Sequence, residues 1–227
     1  MAPIDVKSFI KSSFPRAVQA YRQAIQRLEQ PSLKTVFSEI YHNNTWNDSE
    51  SVSGRGSTLA RTAVIRSELP LLLKRLNATS MLDAACGDYN WMQHVDLHEI
   101  DYIGSDIVPE LIARNQQLYG RANREFITAD IGAGRLPRAT VILCRECLIH
   151  LSFSRIDRVL SNFRNSGAQY LLCTTHTAIQ ENLDCDDGGW RPLNLQLPPF
   201  NFPTPLELIV EDADAGKCLG VWQLNDL

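Results

Sequence analysis

Between Ser80 and Thr175 the chain alternates short apolar runs with longer segments of helical spacing, and this rhythm restricts the fold more than any other feature. Parallel strands cannot be joined by a tight turn; they need a crossover of a dozen or more residues, usually a helix. The spacing predicts strands at 80–84, 101–105, 125–128, 140–144 and 169–174, with helices near 89–97, 109–119 and 154–165. After Thr175 the alternation stops. PLELIVED (205–212) and KCLGVWQL (217–224) flank a short Ala-Asp-Ala-Gly turn and read as a hairpin. The expected class is α/β, a doubly wound, seven-stranded, mostly parallel sheet with an antiparallel strand in its C-terminal hairpin.

Ahead of this block lies a helical extension. Phe14, Val18, Tyr21, Ile25 and Leu28 fall on one face of a helix that Pro31 ends, a face suited to core packing or to a homodimer surface. A second helix is expected from Ser32 to about Tyr41, and a third from Thr58 to about Leu76. The polar stretch Asn43–Ser57, rich in Gly and Ser, separates them. The division expected is a helical cap or lid over 1–57 and one α/β domain over 58–227. The stretch 182–204 is irregular, because Pro192, Pro198, Pro199, Pro203 and, just past it, Pro205 forbid a regular helix or central strand. A long irregular loop in a compact domain is usually functional, so it reads as a second lid or binding loop.

Composition excludes several classes. A net charge of −4 without a dense Lys/Arg block argues against nucleic acid as partner. No run approaches the ~20 apolar residues that span a bilayer, so no membrane partner is expected. The N-terminus has neither an apolar core nor a small-residue cleavage site, and the six cysteines read as reduced thiols, which together place the chain in the cytoplasm. Cys144 and Cys147 form a lone C-x-x-C with no second pair and no His at zinc spacing, so no metal is expected.

Three carboxylates carry the functional reading. In MLDAACGDYNWM (81–92) an apolar strand ends at Asp83, and the small turn Ala84–Gly87 leads onward. Small residues let a ligand approach the backbone. Asp106 closes the next strand in YIGSDI, and Asp130 follows the third in FITADI. One such acid is ordinary; three in register past successive parallel strands point to one crevice. A full G-x-G-x-x-G is missing, which argues against a dinucleotide and a nucleotide-dependent oxidoreductase.

These motifs resemble the class I, Rossmann-like S-adenosylmethionine-dependent methyltransferases. LDAACGDYNW is similar to that family's first motif, IGSDI to its second, TADI to its third, and LCRECLIHLS to the segment ending its fourth strand; the terminal hairpin matches as well. The resemblance covers roughly 59–227 and departs at Ala85 and Tyr89, where Gly is common. It implies S-adenosylmethionine as cofactor. Asp83, Ala85 and Gly87 would pass its methionine part, Asp106 with Ile107 would hold the ribose, and Asp130 with Ile131 would face the adenine. Trp46 and the loop Ser53–Ser57 would fold over the methionine end.

For the chemistry, His150 is the expected base, with His176 in competition and Glu146 orienting either or binding substrate. Arg145, Trp190, Arg191 and Asn194 are expected on the acceptor side, and either arginine would favour an acceptor bearing carboxylate or phosphate. The fourth strand is followed by neither Asn/Asp-Pro-Pro-aromatic nor Pro-Cys, patterns of nucleic-acid enzymes in this superfamily. The expectation is methyl transfer to oxygen or nitrogen of a small polar metabolite, a sugar or natural-product intermediate among them. The rival is a binder that keeps the crevice and transfers nothing.

Overall fold

The computed structural model describes residues 31–97 and 99–227; the amphipathic segment 14–28 lies outside them. Seven strands form one sheet in the order β3-β2-β1-β4-β5-β7-β6. They are β1 (Ser80–Ala84), β2 (Asp101–Asp106), β3 (Arg124–Thr128), β4 (Val141–Cys144), β5 (Tyr170–His176), β6 (Glu207–Asp212) and β7 (Lys217–Gln223). The first five pair in parallel, while β7 runs antiparallel to both β5 and β6. The helices are α1 (Leu33–His42), α2 (Ala63–Arg75), α3 (Pro109–Tyr119) and α4 (Phe153–Asn165).

Successive residues of the central strands feed opposite cores, which is why their middles run apolar rather than alternating, with polar residues gathered toward the strand ends. Leu82, Ile142 and Leu171 join α4's Val159 and Phe163 on one face. Met81, Val141, Leu143 and Leu172 join α2's Ile65, Leu69, Leu72 and Leu73 on the other. Helices therefore cover both faces. The strand order reverses between β1 and β4, and in such sheets the crevice beyond the carboxyl ends at that reversal is where ligands bind.

Two helices differ from expectation. Over 89–97 there is only a 3₁₀ turn at Met92–His94. Gly87 and Tyr89 both take left-handed backbone, with φ of +55° and +61°, and an α-helix cannot propagate through them. Tyr89 turns its ring into a cluster with Tyr102, Tyr119 and Phe126. The helix expected from Thr58 begins at Ala63, because Thr58 and Thr62 spend their hydroxyls on the carbonyls of Arg55 and Thr58 in the preceding turn.

The stretch 182–204 is irregular, as its prolines require, and it is pinned down. Asn182 donates to the carbonyls of Asn194 (2.8 Å) and Pro198 (2.9 Å), and Asp187 and Asp184 accept from the Ser152 and Phe153 amides at the start of α4. Among the described residues no helix is long and apolar enough to cross a membrane.

Candidate active site

At the reversal between β1 and β4 a cavity of about 1070 Å³, counting its open mouth, is lined from four directions. The turn after β1 contributes Asp83, Ala85, Cys86 and Gly87; the end of β2 contributes Asp106 and Ile107; the segment after β3 contributes Asp130 and Ile131; and the segment after β4 contributes Arg145, Glu146 and His150. The roof comes from α1 and the loop after it, through Phe37, Tyr41 and Trp46.

The three acids do converge. Asp106 is buried, and its carboxylate accepts the Gly87 amide at Oδ2 (3.2 Å) and the Val108 amide at Oδ1 (3.1 Å). Burial raises its pKa, and these amides offset part of the rise. Asp83 is buried under the turn, where burial pushes its pKa to about 7 against a hydrogen bond from Tyr102 Oη at 2.7 Å. Asp130 Oδ1 accepts the Gly132 amide at 2.8 Å.

The roof is latched to this floor by Asp88. Its carboxylate accepts from Ser51 Oγ (2.8 Å), the Val52 amide (3.0 Å), Ser53 Oγ (3.2 Å) and the Asn90 amide (3.2 Å). A Cβ on Gly87 would lie 2.2 Å from Ser53 Oγ, so the close approach of the roof requires glycine there as much as the backbone angle does.

His150 lines the cavity in a defined tautomer. Its Nδ1 lies 2.7 Å from Gly189 O; a carbonyl only accepts, so Nδ1 carries the hydrogen and Nε2 the lone pair. Burial holds its pKa below the ordinary value. Trp46 covers the ring, with centroids 4.9 Å apart. His176 is also buried and its pKa is also lowered by burial, but it does not line the cavity; its Nδ1 accepts the Leu193 amide at 3.3 Å.

The acceptor-side residues divide. Arg145 lines the cavity, but its guanidinium is engaged by Glu211, with Nε to Oε2 at 3.0 Å and Nη2 to Oε2 at 2.6 Å, and it lies over the Trp91 ring. Glu211 falls at an irregularity in the β6–β7 pairing between Val210 and Asp212, a device that re-aims a side chain inward. Arg191 is buried outside the cavity, donating to the carbonyls of Leu183, Leu148 and Leu151. Asn194 is buried in the loop, its Oδ1 accepting the Gln196 amide, and Trp190 projects into solvent, 63% exposed. None of these last three lines the cavity. The polar groups of Arg191 and Asn194 pin the 182–204 loop, and neither arginine is free for an anionic acceptor.

Sequence reasoning expected a cap or lid over 1–57 but named none of the α1 residues in the cavity wall, and it missed Asp88, Glu211 and Lys217. Only Asp88, sitting beside Gly87 in the first motif, carried a local signal. Among the described residues no group of three or more His, Cys, Asp or Glu is placed to hold a metal, and all six cysteines are free thiols.

No protein-family model matches the sequence, and no curated protein matches it. Solved structures do. The chain is similar to a Burkholderia thailandensis 1,6-didemethyltoxoflavin-N1-methyltransferase, whose structure holds S-adenosylhomocysteine, with 15% identity, 84% of this chain and 86% of that one covered, and a TM-score of 0.57. It is similar to the N-methyltransferase NodS of Bradyrhizobium japonicum, also with S-adenosylhomocysteine, at 12% identity, 81% and 97% coverage and a TM-score of 0.58. Human N-acetylserotonin methyltransferase, in complex with S-adenosylmethionine, aligns at 12% identity and a TM-score of 0.58, over 83% of this chain and 58% of that one. The chain spans just under two thirds (66%) of two bacterial CtHen1 methyltransferase domains, at TM-scores of 0.45 and 0.43. Strand order, the antiparallel β7 and these likenesses agree: the chain has the Rossmann-like fold of the class I methyltransferases.

Proposed function

We propose that the cavity binds S-adenosylmethionine and that the protein transfers its methyl group to an oxygen or nitrogen of a small molecule. The observation that carries this reading is the convergence of Asp83, Asp106 and Asp130 on one cavity at the sheet's reversal point. The donor set fits the cofactor. Each oxygen of Asp106 accepts one amide and retains a lone pair for a ribose hydroxyl. Asp130 keeps Oδ2 for an exocyclic amine, between the apolar Ile107 and Ile131. Asp83 and the Gly87 turn take the methionine part. Residues 31–57 act as the cap that excludes water.

When bound, S-adenosylmethionine supplies an electrophilic methyl on a sulfonium. The acceptor's lone pair forms the new bond to that carbon while the C–S pair returns to sulfur, leaving a neutral thioether. The chain aligns the reactants and keeps water out. His150 Nε2 takes the proton that the acceptor's O–H or N–H gives up, with Gly189 O fixing the ring and Trp46 covering it. Glu146 accepts a hydrogen bond from the acceptor and orients it. Calorimetric titration with S-adenosylmethionine tests the reading: a dissociation constant in the micromolar range supports it, and no heat at hundreds of micromolar ligand overturns it.

A further inference from the structure

Among the described residues the charges around the acceptor end balance without leaving a free cation. Among the described residues Arg145 is the one Lys or Arg that lines the cavity, and both members of its pair with Glu211 are shielded, with side chains 3% and 0% exposed. Lys217 stands behind it, its Nζ 3.4 Å from Glu146 Oε1 and 3.6 Å from Glu211 Oε2. Two cations thus meet two carboxylates. Glu146 enters the cavity wall from a left-handed backbone (φ +54°) anchored by its amide on Thr174 Oγ1 at 2.8 Å. Its Oε1 is buried and accepts no hydrogen bond. A Cβ on Gly56 would come within 2.7 Å of its Oε2, so the cap leaves room for this carboxylate only because that residue is glycine.

The opposite wall is aromatic. Trp46 lies over His150, and Phe37 and Tyr41 project from α1. The Gly188 amide donates to His150 O at 2.8 Å, and a Cβ on Gly188 would meet Val36 at 2.6 Å, so α1 stands directly beside His150. A sugar buried here would have the Tyr41 hydroxyl, Glu146 and His150 as polar partners on this side and would leave its remaining hydroxyls unpaired, at a cost per buried group. A carboxylate or phosphate would be desolvated beside Glu146 with no counter-ion. An ammonium has no lone pair to attack a methyl carbon, so a nitrogen acceptor must react uncharged.

From this arrangement we infer that the acceptor is an uncharged, flat aromatic molecule presenting one O–H or N–H to Glu146 and His150 and lying against the aromatic surface of Trp46, Phe37 and Tyr41. This rests on the methyltransferase reading and narrows it, replacing the anionic acceptor that the two arginines suggested from sequence.

The test uses the full chain and an isosteric pair, 6-hydroxy-2-naphthamide and 6-hydroxy-2-naphthoate, with glucose as the non-aromatic probe. Affinities are read by calorimetry with and without saturating S-adenosylhomocysteine. The amide is expected to bind at least tenfold tighter than the carboxylate, and glucose not at all. Glu146→Gln, checked for folding by circular dichroism, leaves Arg145 and Lys217 facing a single carboxylate and should shrink the amide-over-carboxylate ratio at least fivefold. Equal or tighter binding of the naphthoate to the wild type, binding of glucose alone, or no binding of either naphthol overturns the inference. Failure of S-adenosylhomocysteine to bind, with the naphthol preference intact in the unliganded protein, overturns the cofactor reading instead.

Discussion

Asp106 at the end of β2 holds the backbone amide of Gly87, in the turn after β1, at 3.2 Å through Oδ2. One carboxylate thereby ties together the two strand ends that flank the cofactor half of the cavity and still faces into it. Removing it takes away the turn's anchor together with the ribose contact proposed for it. Asp106→Ala is expected to weaken S-adenosylmethionine binding at least a hundredfold by calorimetry, about 2.8 kcal/mol at 1.4 kcal/mol per decade. Affinity within threefold of wild type would show that the ribose is held elsewhere.

Asp83 gives the site a pH signature. Its carboxyl titrates near 7 because burial outweighs the Tyr102 hydrogen bond. Its folded pKa is raised, so between about 4 and 7 the native state holds a proton that the unfolded chain has released, and stability falls as pH rises through that window. At 1.36 kcal/mol per pKa unit the full effect is about 4 kcal/mol. Asparagine cannot ionise, so the melting temperature of unliganded Asp83→Asn should gain on wild type from pH 5 to about pH 7 and level off above it. A pH-independent difference between the two proteins would refute the assignment.

His150 should matter to turnover and little to cofactor affinity. Its Nδ1 hydrogen is fixed on Gly189 O and the lone pair is on Nε2. With the acceptor found by a labelled-methyl screen, His150→Ala should lower kcat by about 10²–10⁴, the usual worth of a positioned base, while S-adenosylhomocysteine binds within threefold of wild type. Burial lowers its pKa from 6.5, so the acid limb of the wild-type profile should lie below that value. The neutral form is the active one, and activity is lost as pH falls through it. An unchanged kcat in the alanine variant would leave proton removal to Glu146 or to solvent.

The strands were legible because a parallel sheet covered on both faces favours continuous apolar runs, and Val141–Cys144 and Leu171–Cys173 supply them. The three acids were legible because strand ends in such a sheet share one rim. What stayed hidden depends on backbone angles or distant partners. Nothing in the apolar spacing of 89–97 announces the left-handed Tyr89 that stops a helix there. A sequence displays the charge of Arg145 but not Glu211, 66 residues away, that occupies it. Arg191 and Asn194 look like recognition groups for the same reason: their partners are carbonyls and amides of a folded loop.

The Arg145–Glu211 pair itself allows the last prediction. Both side chains are shielded from solvent, so neither partner can be removed without stranding the other's charge. Breaking a buried pair on one side typically costs roughly 3–5 kcal/mol. Arg145→Met and Glu211→Leu should each destabilise the protein by about that amount in chemical denaturation, and Arg145→Met somewhat more, because Glu211 would keep only Lys217 at 3.6 Å. The double variant removes both charges and leaves Lys217 to Glu146, so it should recover most of the loss; buried ion pairs replaced by apolar residues of similar volume are often neutral in stability. A double-mutant cycle reads this as a coupling of at least 2 kcal/mol. Additive losses would mean that the two groups act independently and that Arg145 is free to face a ligand after all.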